Sequence, residues 1–449
     1  MRRFSRSWIG ATLGLVLVAA ACGGVGGGVG GDGGGGGNGD AAVSPGGPVA
    51  GELNFLAFGE PEELRAYRNL IEGFKEVEPN VTVNLIEASD RTDLLARLST
   101  SFSGGTPPDL FLLNYRFYAQ FAVTGVLEPV QPLLESSSEF SREDFYPQPM
   151  EAFSFNDQLM CMPQNVSSLV VYYNRDLFTD AGVPEPAAGW RWDQMVSAAV
   201  SLTKDLDGDG VTDQYGLGVE PSMIRLAPFI WSNGGEVVDD EENPTRLAVD
   251  GPEALEAMEA FFQLHTTYGV IPGDEEVESE DDESRFMNGR MAMVLSSRRS
   301  TPTFRTITDF DWDVAPLPQF EEPAGILHSD AYCMAKASGN KAAAWRFIEF
   351  AVGPEGAPIT AATGRTVPSL MSVANSEAFL DPDAKPANSN VFLDTIPVIR
   401  RVPNISTWPE IEDVTAGIIE VGLYEGAPAE DVAQQLIEAT TDIFARAET

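Results

Sequence analysis

The sequence predicts an α/β protein with two lobes, and three observations support this fold class. The chain has 449 residues, more than one hydrophobic core usually accommodates, so more than one compact unit is expected. From residue 51, strand and helix patterns alternate as βαβαβ, which is typical of a parallel sheet covered by helices. The alternation begins again at residue 169, which indicates a second unit of the same class.

The first unit contains three strands and two helices. Its strands are short apolar or alternating runs at 53–57, 81–85 and 110–113. Apolar residues recur at spacings of three and four through 64–77, which predicts an amphipathic helix that ends before Pro79. A shorter helix is predicted at 94–102. The uninterrupted run at 110–113 suits a buried central strand.

Ligands of such sheets bind beyond the carboxyl ends of the parallel strands. In the first unit these ends fall at 58–60, 87–90 and 114–116. We therefore expect these three segments to face a ligand site.

The second unit follows the same alternation. Its predicted strands lie at 169–173, 215–219, 291–295 and 312–315, with a further strand at 331–335. Its predicted helices lie at 192–204, 226–232 and 252–268, where Pro252 suits the first helical position. Two amphipathic helices are also predicted at 340–352 and 429–446.

The first fifty residues predict export. Three arginines within the first six residues precede a short apolar run at 8–18, which is too short for a membrane-spanning helix. We predict a signal peptide at 1–21 and a flexible glycine-rich tether at 22–50. The small residues before Cys22 resemble the lipobox of bacterial lipoproteins, which implies a lipidated Cys22 and an anchor at the outer face of the cell membrane. An ordinary cleaved signal with an unmodified cysteine is the alternative.

The chain is strongly acidic, with 68 Asp and Glu residues against 28 Lys and Arg residues and a formal net charge of −40. The acids are spread along the whole sequence. Such a surface repels nucleic acid phosphates and anionic lipid headgroups, so we expect no nucleic acid partner. Membrane association is then expected through the lipid anchor only.

Two cysteines remain besides Cys22, and their state is open at this stage. Cys161 and Cys333 could form one disulfide in an exported protein, or they could be two inert buried thiols. His265 and His328 are the only histidines in the sequence and lie far apart along it, so no zinc site is expected.

An aspartate-rich segment matches the spacing of a calcium loop. Asp205, Asp207, Asp209 and Asp213 occupy positions one, three, five and nine of an EF-hand loop, with glycine at position six. Position twelve is Gly216 instead of the bidentate glutamate. A structural calcium ion is one interpretation, and a polar surface turn is the other. No other cofactor is expected.

Several motifs follow one another in an order that resembles a known family. They include Gly-Thr-Pro-Pro-Asp at 105–109, Tyr-Asn-Arg-Asp-Leu-Phe at 173–178, Trp-Ser-Asn-Gly-Gly at 231–235, Gly-Arg-Met-Ala-Met at 289–293 and Val-Ala-Pro-Leu-Pro at 314–318. This order resembles the extracellular solute-binding proteins of bacterial ABC importers, specifically the carbohydrate-binding group similar to maltose-binding protein. The resemblance covers nearly all of 51–449.

The resemblance implies a periplasmic-binding-protein-like fold, with two mixed sheets flanked by helices and a hinge of several strands. By analogy, the N-terminal lobe comprises 51–165 plus 327–367, and the C-terminal lobe comprises 167–318 plus 369–449. The strand that re-enters the first lobe would bring Cys333 near Cys161, which favours a disulfide but leaves the thiol alternative open. Ligand binding would close the lobes, and the membrane subunits of an ABC transporter would recognise the closed monomer.

The implied function is capture of a sugar or oligosaccharide between the lobes and its delivery to the transporter, without catalysis. A sugar offers hydroxyl groups and apolar C–H faces, so its receptor needs carboxylates, amides and arginines together with aromatic rings. Candidates of these types in the first lobe and its returning segment are Glu60, Asp109, Tyr115, Arg116, Ser329, Asp330, Tyr332 and Arg365. Candidates in the second lobe and at the hinge are Asn165, Trp231, Gly234, Gly235, Arg298 and Trp408.

These assignments have alternatives. Asp109 could cap local backbone before its strand, and Trp231 could belong to the core. The same fold could bind a non-sugar solute, such as a polyamine or a peptide, or it could serve sensing. A surface glycoside hydrolase is the more distant alternative, since two carboxylates suffice for that chemistry. However, the sequence contains no Gly-x-Ser-x-Gly elbow, no His-Glu-x-x-His and no Gly-rich phosphate loop.

Overall fold

The computed structural model describes residues 49–447. The predicted signal peptide, Cys22 and nearly all of the predicted tether lie outside the described residues. Among the helices of the described part, none is long and apolar enough to cross a membrane.

Short strands and helices alternate through the described residues. The strands are β1 (Gly51–Phe58), β2 (Val81–Ala88), β3 (Leu110–Asn114), β4 (Ser154–Phe155), β5 (Gln158–Leu159), β6 (Cys161–Pro163), β7 (Val170–Asn174), β8 (Met293–Ser296), β9 (Trp312–Ala315), β10 (Gly325–Ile326), β11 (Asp330–Met334) and β12 (Ile399–Arg400). The α-helices are α1 (Pro61–Val77), α2 (Arg91–Ser103), α3 (Tyr115–Ala122), α4 (Gln131–Leu134), α5 (Pro147–Ala152), α6 (Arg175–Ala181), α7 (Trp192–Leu202), α8 (Met223–Ser232), α9 (Pro252–Thr266), α10 (Asp274–Ser279), α11 (Asp282–Met287), α12 (Thr301–Phe304), α13 (Lys341–Val352), α14 (Ala357–Ala362), α15 (Met371–Ala374), α16 (Asn390–Asp394), α17 (Trp408–Glu425) and α18 (Ala429–Phe444).

The first lobe is built on a five-stranded sheet in the order β2-β1-β3-β11-β6. β1 runs parallel to β2 and β3, as the βαβαβ pattern predicts, whereas β11 returns antiparallel to β3 and β6. Every residue of β3 and β11 is buried, as expected for central strands. In the β6–β11 pair, Cys161 lies opposite Cys333, and a disulfide bond of 2.00 Å joins their sulfur atoms.

The second lobe contains a three-stranded antiparallel sheet in the order β8-β7-β9. The predicted strand at 215–219 is wrong, because this segment meets β8 and the residues before it only through two isolated parallel bridges. The backbone at Gly216 passes so close to α7 that a Cβ atom there would lie 2.1 Å from the carbonyl oxygen of Ala199. Close backbone approach to a helix therefore replaces regular strand pairing.

Several chain segments cross between the lobes side by side. Asn165 pairs with Pro368 and Ser167 pairs with His328 in isolated antiparallel bridges. β10 and β12 form a short parallel pair in the same crossing region. These pairings connect four separate parts of the chain, as expected of a hinge built from several strands.

Helix α17 is an element that the sequence does not predict. It packs against α9 and α18 of the second lobe and also contacts α3 of the first lobe. Its second residue is Pro409, a position where proline costs no helical hydrogen bond. The helix therefore spans the boundary between the lobes, and its first residue is Trp408.

Candidate functional site

A cavity of about 240 Å³ lies between the two lobes and the hinge. Its first-lobe wall is built from the carboxyl ends of β1, β2 and β3 and the helix starts that follow them. The lining residues are Phe58, Gly59, Glu60, Glu63, Ser89, Asp90, Arg91, Asn114, Arg116, Asn165, Ser167, Glu220, Ile224, Arg225, Ser296, Ser297, Arg298, Arg299, His328, Asp330 and Arg365. The cavity thus occupies the position that the strand pattern predicts for a ligand site.

The capped start of helix α2 positions part of the first-lobe wall. Asp90 is the N-cap of α2, and its carboxylate accepts a hydrogen bond of 2.9 Å from the backbone N–H of Asp93. This bond and a hydrogen bond from Ser89 lower the pKa of Asp90. The capped first turn places Arg91 directly at the cavity.

Asn114, at the end of β3, connects this wall to the hinge. Its amide oxygen accepts hydrogen bonds from the backbone N–H and the Nε of Arg116, at 3.3 and 3.2 Å. Its amide nitrogen donates to Asp330 at 3.1 Å. The backbone N–H of Asp330 donates to the amide oxygen of Asn165 at 3.0 Å. The amide of Asn114 thus orients the Asp330 carboxylate, and the amide of Asn165 holds the Asp330 backbone.

Glu63 is a buried carboxylate at the meeting point of the lobes, with 1% of its surface exposed. Arg365 lies 3.1 Å from it and Arg299 of the second lobe lies 3.3 Å from it. Arg365 also lies 3.6 Å from Asp330. Burial alone would lower the pKa of Arg365 and of Arg299, but the nearby anionic groups outweigh it and the pKa of each guanidinium is raised. Both arginines stay charged, as a buried carboxylate requires.

A second ion pair crosses between the lobes at the side of the cavity. Arg116 of α3 pairs with Glu412 of α17, and both side chains are largely buried. The indole Nε1 of Trp408 donates to the other carboxylate oxygen of Glu412 at 2.8 Å. Trp408 thus positions Glu412 and does not itself line the cavity.

The second-lobe wall carries three arginines. Arg225 lies 2.9 Å from Glu220, and this arginine is the main cause of the lowered pKa of Glu220. Arg298 is 1% exposed, donates to the hydroxyl of Ser389 at 3.2 Å, and lies between the rings of two phenylalanines. Burial lowers the pKa of Arg298 to about 9.

Six of the fourteen residues predicted to bind ligand line this cavity. They are Glu60, Arg116, Asn165, Arg298, Asp330 and Arg365. These residues follow strand ends or belong to the crossing segments, which is why the topology brings them together. The structure places them at one cavity, and their role in binding remains a prediction.

Four of the other predicted residues lie in the first lobe or on the returning segment, away from the cavity. Asp109 precedes β3, at the opposite end of the strand, and accepts hydrogen bonds from the backbone of Asn54 and the hydroxyl of Ser338. Ser329 donates to the carbonyl oxygen of Asn165 at 2.6 Å and is buried. The remaining two are buried tyrosines on the sheet and at the start of α3, namely Tyr332 and Tyr115.

Both tyrosine side chains make contacts within the folded protein. The hydroxyl of Tyr115 accepts a hydrogen bond from the backbone N–H of Val402, and burial raises its pKa. The ring of Tyr332 packs against Phe55 and Phe347 in the core. The expectation that either ring faces the cavity is wrong, because both side chains point into packed protein.

The tryptophan and glycines predicted on α8 are also away from the cavity. Trp231 is 3% exposed, and the guanidinium of Arg400 lies 4.8 Å from its ring centroid. Gly234 ends the helix with a φ of 83°, a conformation that favours glycine. A Cβ at Gly235 would lie 2.8 Å from the backbone of Ala254, so this glycine permits the close packing of α8 on α9. The core alternative for Trp231 is the one that the structure supports.

Sequence reasoning missed three of the six arginines that line the site, namely Arg91, Arg225 and Arg299. Arg91 directly follows the predicted strand end at 87–90, so that position was a usable signal. Arg299 adjoins the predicted Arg298. Glu63 carries no local signal, because its contacts with Arg299 and Arg365 join segments far apart in sequence.

The aspartate loop matches part of the predicted calcium geometry. One carboxylate oxygen from each of Asp205, Asp207 and Asp209 lies within 4.8 Å of the others, and all three residues are exposed. Asp213 instead accepts a hydrogen bond of 2.7 Å from the backbone N–H of Leu206. Backbone N–H groups of the two loop glycines donate to Asp205 and lower its pKa.

A two-lobed α/β fold with a polar cavity at a hinge of several strands defines a class of solute-binding receptors. The chain belongs to the bacterial extracellular solute-binding protein family, whose model matches residues 59–358. Members of this family are exported proteins, and this chain is accordingly an exported one.

Known relatives cover most of the chain. A maltotriose-binding protein of Pyrococcus abyssi is 24% identical over 333 residues, which are 73% of this chain and 67% of that protein. The sn-glycerol-3-phosphate-binding periplasmic protein of Pectobacterium atrosepticum is 22% identical over 333 residues, which are 71% of this chain and 73% of that protein. The structure of an ABC substrate-binding protein of Listeria monocytogenes in complex with cycloalternan has a TM-score of 0.80 and 25% identity, over 88% of this chain and 99% of that one.

Proposed function

We propose that this protein captures a sugar or polyol in the cavity between its lobes and delivers it to the membrane subunits of an ABC transporter. The observation that carries the proposal is the cavity itself, which both lobes and the hinge line with hydrogen-bonding side chains. Carboxylates such as Glu60 accept hydrogen bonds from ligand hydroxyls, and amides such as that of Asn165 serve as donors and acceptors. Relatives with similar folds are named for sugar or polyol-phosphate ligands.

Titration calorimetry against a panel of monosaccharides, oligosaccharides and polyols tests this proposal. We expect saturable binding of at least one member, with no hydrolysis product in the same samples. Glu60→Gln should weaken that binding, whereas Glu76→Gln, an exposed carboxylate of the same helix, should leave it unchanged. Binding of a peptide or polyamine in place of every sugar would contradict the proposal, and released product would instead indicate an enzyme.

We further infer that Cys22 is lipidated and anchors a monomer at the outer face of the cell membrane. The signal-like start, the small residues before Cys22 and the glycine-rich tether support this inference. Tethering raises the effective concentration of a receptor near its transporter. Mass spectrometry of the mature amino terminus tests it, since diacylated Cys22 is the expected first residue and an unmodified terminus would contradict it.

We infer that the aspartate loop binds a structural calcium ion. The convergence of three carboxylates and the EF-hand spacing support this inference. Calcium should raise the unfolding temperature of the wild-type protein after chelator treatment, and Asp205→Asn with Asp207→Asn should remove that increase. An unfolding temperature that changes neither with calcium nor with chelator would identify the loop as a polar turn.

A further inference from the structure

The cavity between the lobes has more arginine N–H groups than its protein acceptors use. Six arginines line it: Arg91, Arg116, Arg225, Arg298, Arg299 and Arg365. Four of them form ion pairs with carboxylates. Arg91 and Arg298 have no carboxylate oxygen within 4.0 Å in the part of the chain that the structure describes.

Several of these N–H groups are buried and have no hydrogen-bond partner. They are the Nε of Arg91, the Nε and Nη1 of Arg225, the Nε and Nη2 of Arg298, and the Nε and Nη2 of Arg365, which has carboxylates near it but no hydrogen bond to them. Arg225 is 7% exposed, so its free donors cannot be satisfied by bulk water. A buried donor without an acceptor is destabilising, and more so when it is charged. The arrangement therefore requires acceptors that the protein itself does not supply.

The lining carboxylates do not meet this requirement. Glu63 and Asp330 are paired with Arg365, and Glu220 is paired with Arg225. Glu60 and Asp90 are exposed residues that immediately precede α1 and α2, where the helix dipole favours a negative charge. The two oxygens of Asp90 already accept from the backbone N–H of Asp93 and the hydroxyl of Ser89. Because each carboxylate oxygen can accept a second hydrogen bond, both Glu60 and Asp90 can accept from hydroxyl groups of a ligand.

Positive potential from both lobes converges on this cavity. Burial and then Arg225, Arg116, Arg91 and Arg299 hold the pKa of His328 well below its usual value. These are arginines of the first and the second lobe, and the same four lower the pKa of Glu220. Six arginines and five carboxylates line the cavity, a formal net charge of +1, so a singly charged anionic ligand would balance it.

The lining of the cavity argues against a neutral sugar ring. Among the described residues that line it, Phe58 has the only phenyl or indole ring. The guanidinium of Arg91 already lies 5.5 Å from the centroid of that ring. A sugar ring would therefore find little aromatic surface for its apolar face.

We propose that the ligand is a hydroxylated compound that carries one oxyanion group such as a phosphate or a carboxylate. Arg91 and Arg225 bind the oxyanion through their free N–H groups, because guanidinium groups match phosphate and carboxylate geometry. Glu60 and Asp90 accept hydrogen bonds from the ligand hydroxyls. This inference rests on the proposed function and narrows its ligand class.

Calorimetry with matched neutral and anionic compounds tests the proposal at fixed ionic strength. The pairs are glycerol with glycerol 3-phosphate, and glucose with glucose 6-phosphate or glucuronate, and inorganic phosphate is titrated alone. At least one anionic compound should bind tenfold or more tightly than its neutral partner. The two glucose derivatives distinguish a phosphate from a carboxylate ligand.

Two variants and one control assign the effect to the named arginines. Arg91→Gln and Arg225→Gln should each reduce the preference for the anionic partner by tenfold or more. Arg97→Gln should not, because this arginine lies on the same helix as Arg91 but is exposed and paired with Asp93. Circular dichroism of each variant checks that its fold is retained.

The possible results separate this inference from the proposed function. Equal or tighter binding of the neutral partners would overturn the anionic ligand and leave sugar capture in place. Binding of inorganic phosphate without any hydroxylated compound would support the anion site and contradict sugar capture. Absence of binding by every compound would contradict both.

Discussion

Glu63 illustrates at the residue scale how one side chain connects two lobes. It is almost fully buried, and its charge is compensated by Arg365 near the hinge and by Arg299 of the second lobe. Removal of one partner from such a buried set leaves an uncompensated charge, which typically costs about 3–5 kcal/mol. The contact between the lobes at Glu63 therefore depends on a small number of charged residues.

The candidate residues could be predicted only where a local signal exists. Glu60 and Arg116 follow strand ends, so topology alone places them at the cavity. Glu63 and Arg299 are 236 residues apart in sequence, and no pattern near either residue indicates the pair. A sequence pattern also does not specify the direction of a side chain. For this reason Tyr115 and Tyr332 were predicted at the site, whereas their side chains point into the core.

Asp282 supports a prediction about pH. Burial, with a further contribution from Glu220, raises its pKa from the ordinary value of 3.8 to about 7, and one of its carboxylate oxygens is buried without a partner. A raised carboxyl pKa means that the folded state favours the protonated form. The stabilising contribution is thus complete below pH 3.8 and is lost as the pH rises toward about 7.

Asp282→Asn should remove this loss of stability. Relative to the wild type, we expect the variant to gain roughly 2 kcal/mol in free energy of unfolding between pH 5 and pH 8, after allowance for partial exposure. Urea denaturation at both pH values measures the change, with the exposed Asp180→Asn as a control. A variant whose advantage is the same at both pH values would show that Asp282 titrates normally.

Sequence periodicity is informative at the scale of single elements, but it does not identify every helix. The sequence predicts the strands and helices of the first unit near their observed positions, because the apolar residues of each element recur with the period of a strand or of a helix. Helix α17 was not predicted, and it contains Pro409 near its start with Gly417 and Gly422 inside it. These residues disfavour a helix locally, and packing against α9 and α18 outweighs that preference.

The two glycines of α17 form a matched pair for mutation. A Cβ at Gly422 would lie 2.5 Å from the ring of Phe262, whereas a Cβ at Gly417 would meet no atom within 4 Å. Gly422→Ala should therefore lower the free energy of unfolding by about 1–3 kcal/mol through overpacking. Gly417→Ala should raise it by about 0.5–1 kcal/mol, since alanine is the better helix former.

Chemical denaturation of the two alanine variants tests this prediction. The expected result is a shift of the unfolding midpoint in opposite directions within one helix. Similar shifts for both variants would mean that the packing of α17 on α9 differs from the arrangement described here.

At the scale of the whole molecule, the lobes and hinge follow from the order of strands. The pattern restarts once along the chain, and β11 later returns to the first sheet, so the chain must cross between lobes more than once. The sequence alone supplies this topology only through the family resemblance, because no period or motif specifies which sheet a late strand joins. The identity of the ligand is less accessible still, since it depends on side-chain contacts within one small cavity.

The net charge of −40 is also a property of the whole molecule. Against this acidic background, the six arginines and five carboxylates that line the cavity leave it with a formal net charge of +1. Such a contrast favours the approach of an anionic solute to the cavity over the rest of the surface.

Capture of a solute between two lobes that close around it is the central claim, and small-angle X-ray scattering with and without ligand tests it most directly. Hinge closure should be stabilised by ligand contacts with both lobes. The account predicts that the radius of gyration decreases as ligand is added and reaches its final value at the saturation point measured by calorimetry. An unchanged radius of gyration despite saturated binding would contradict it.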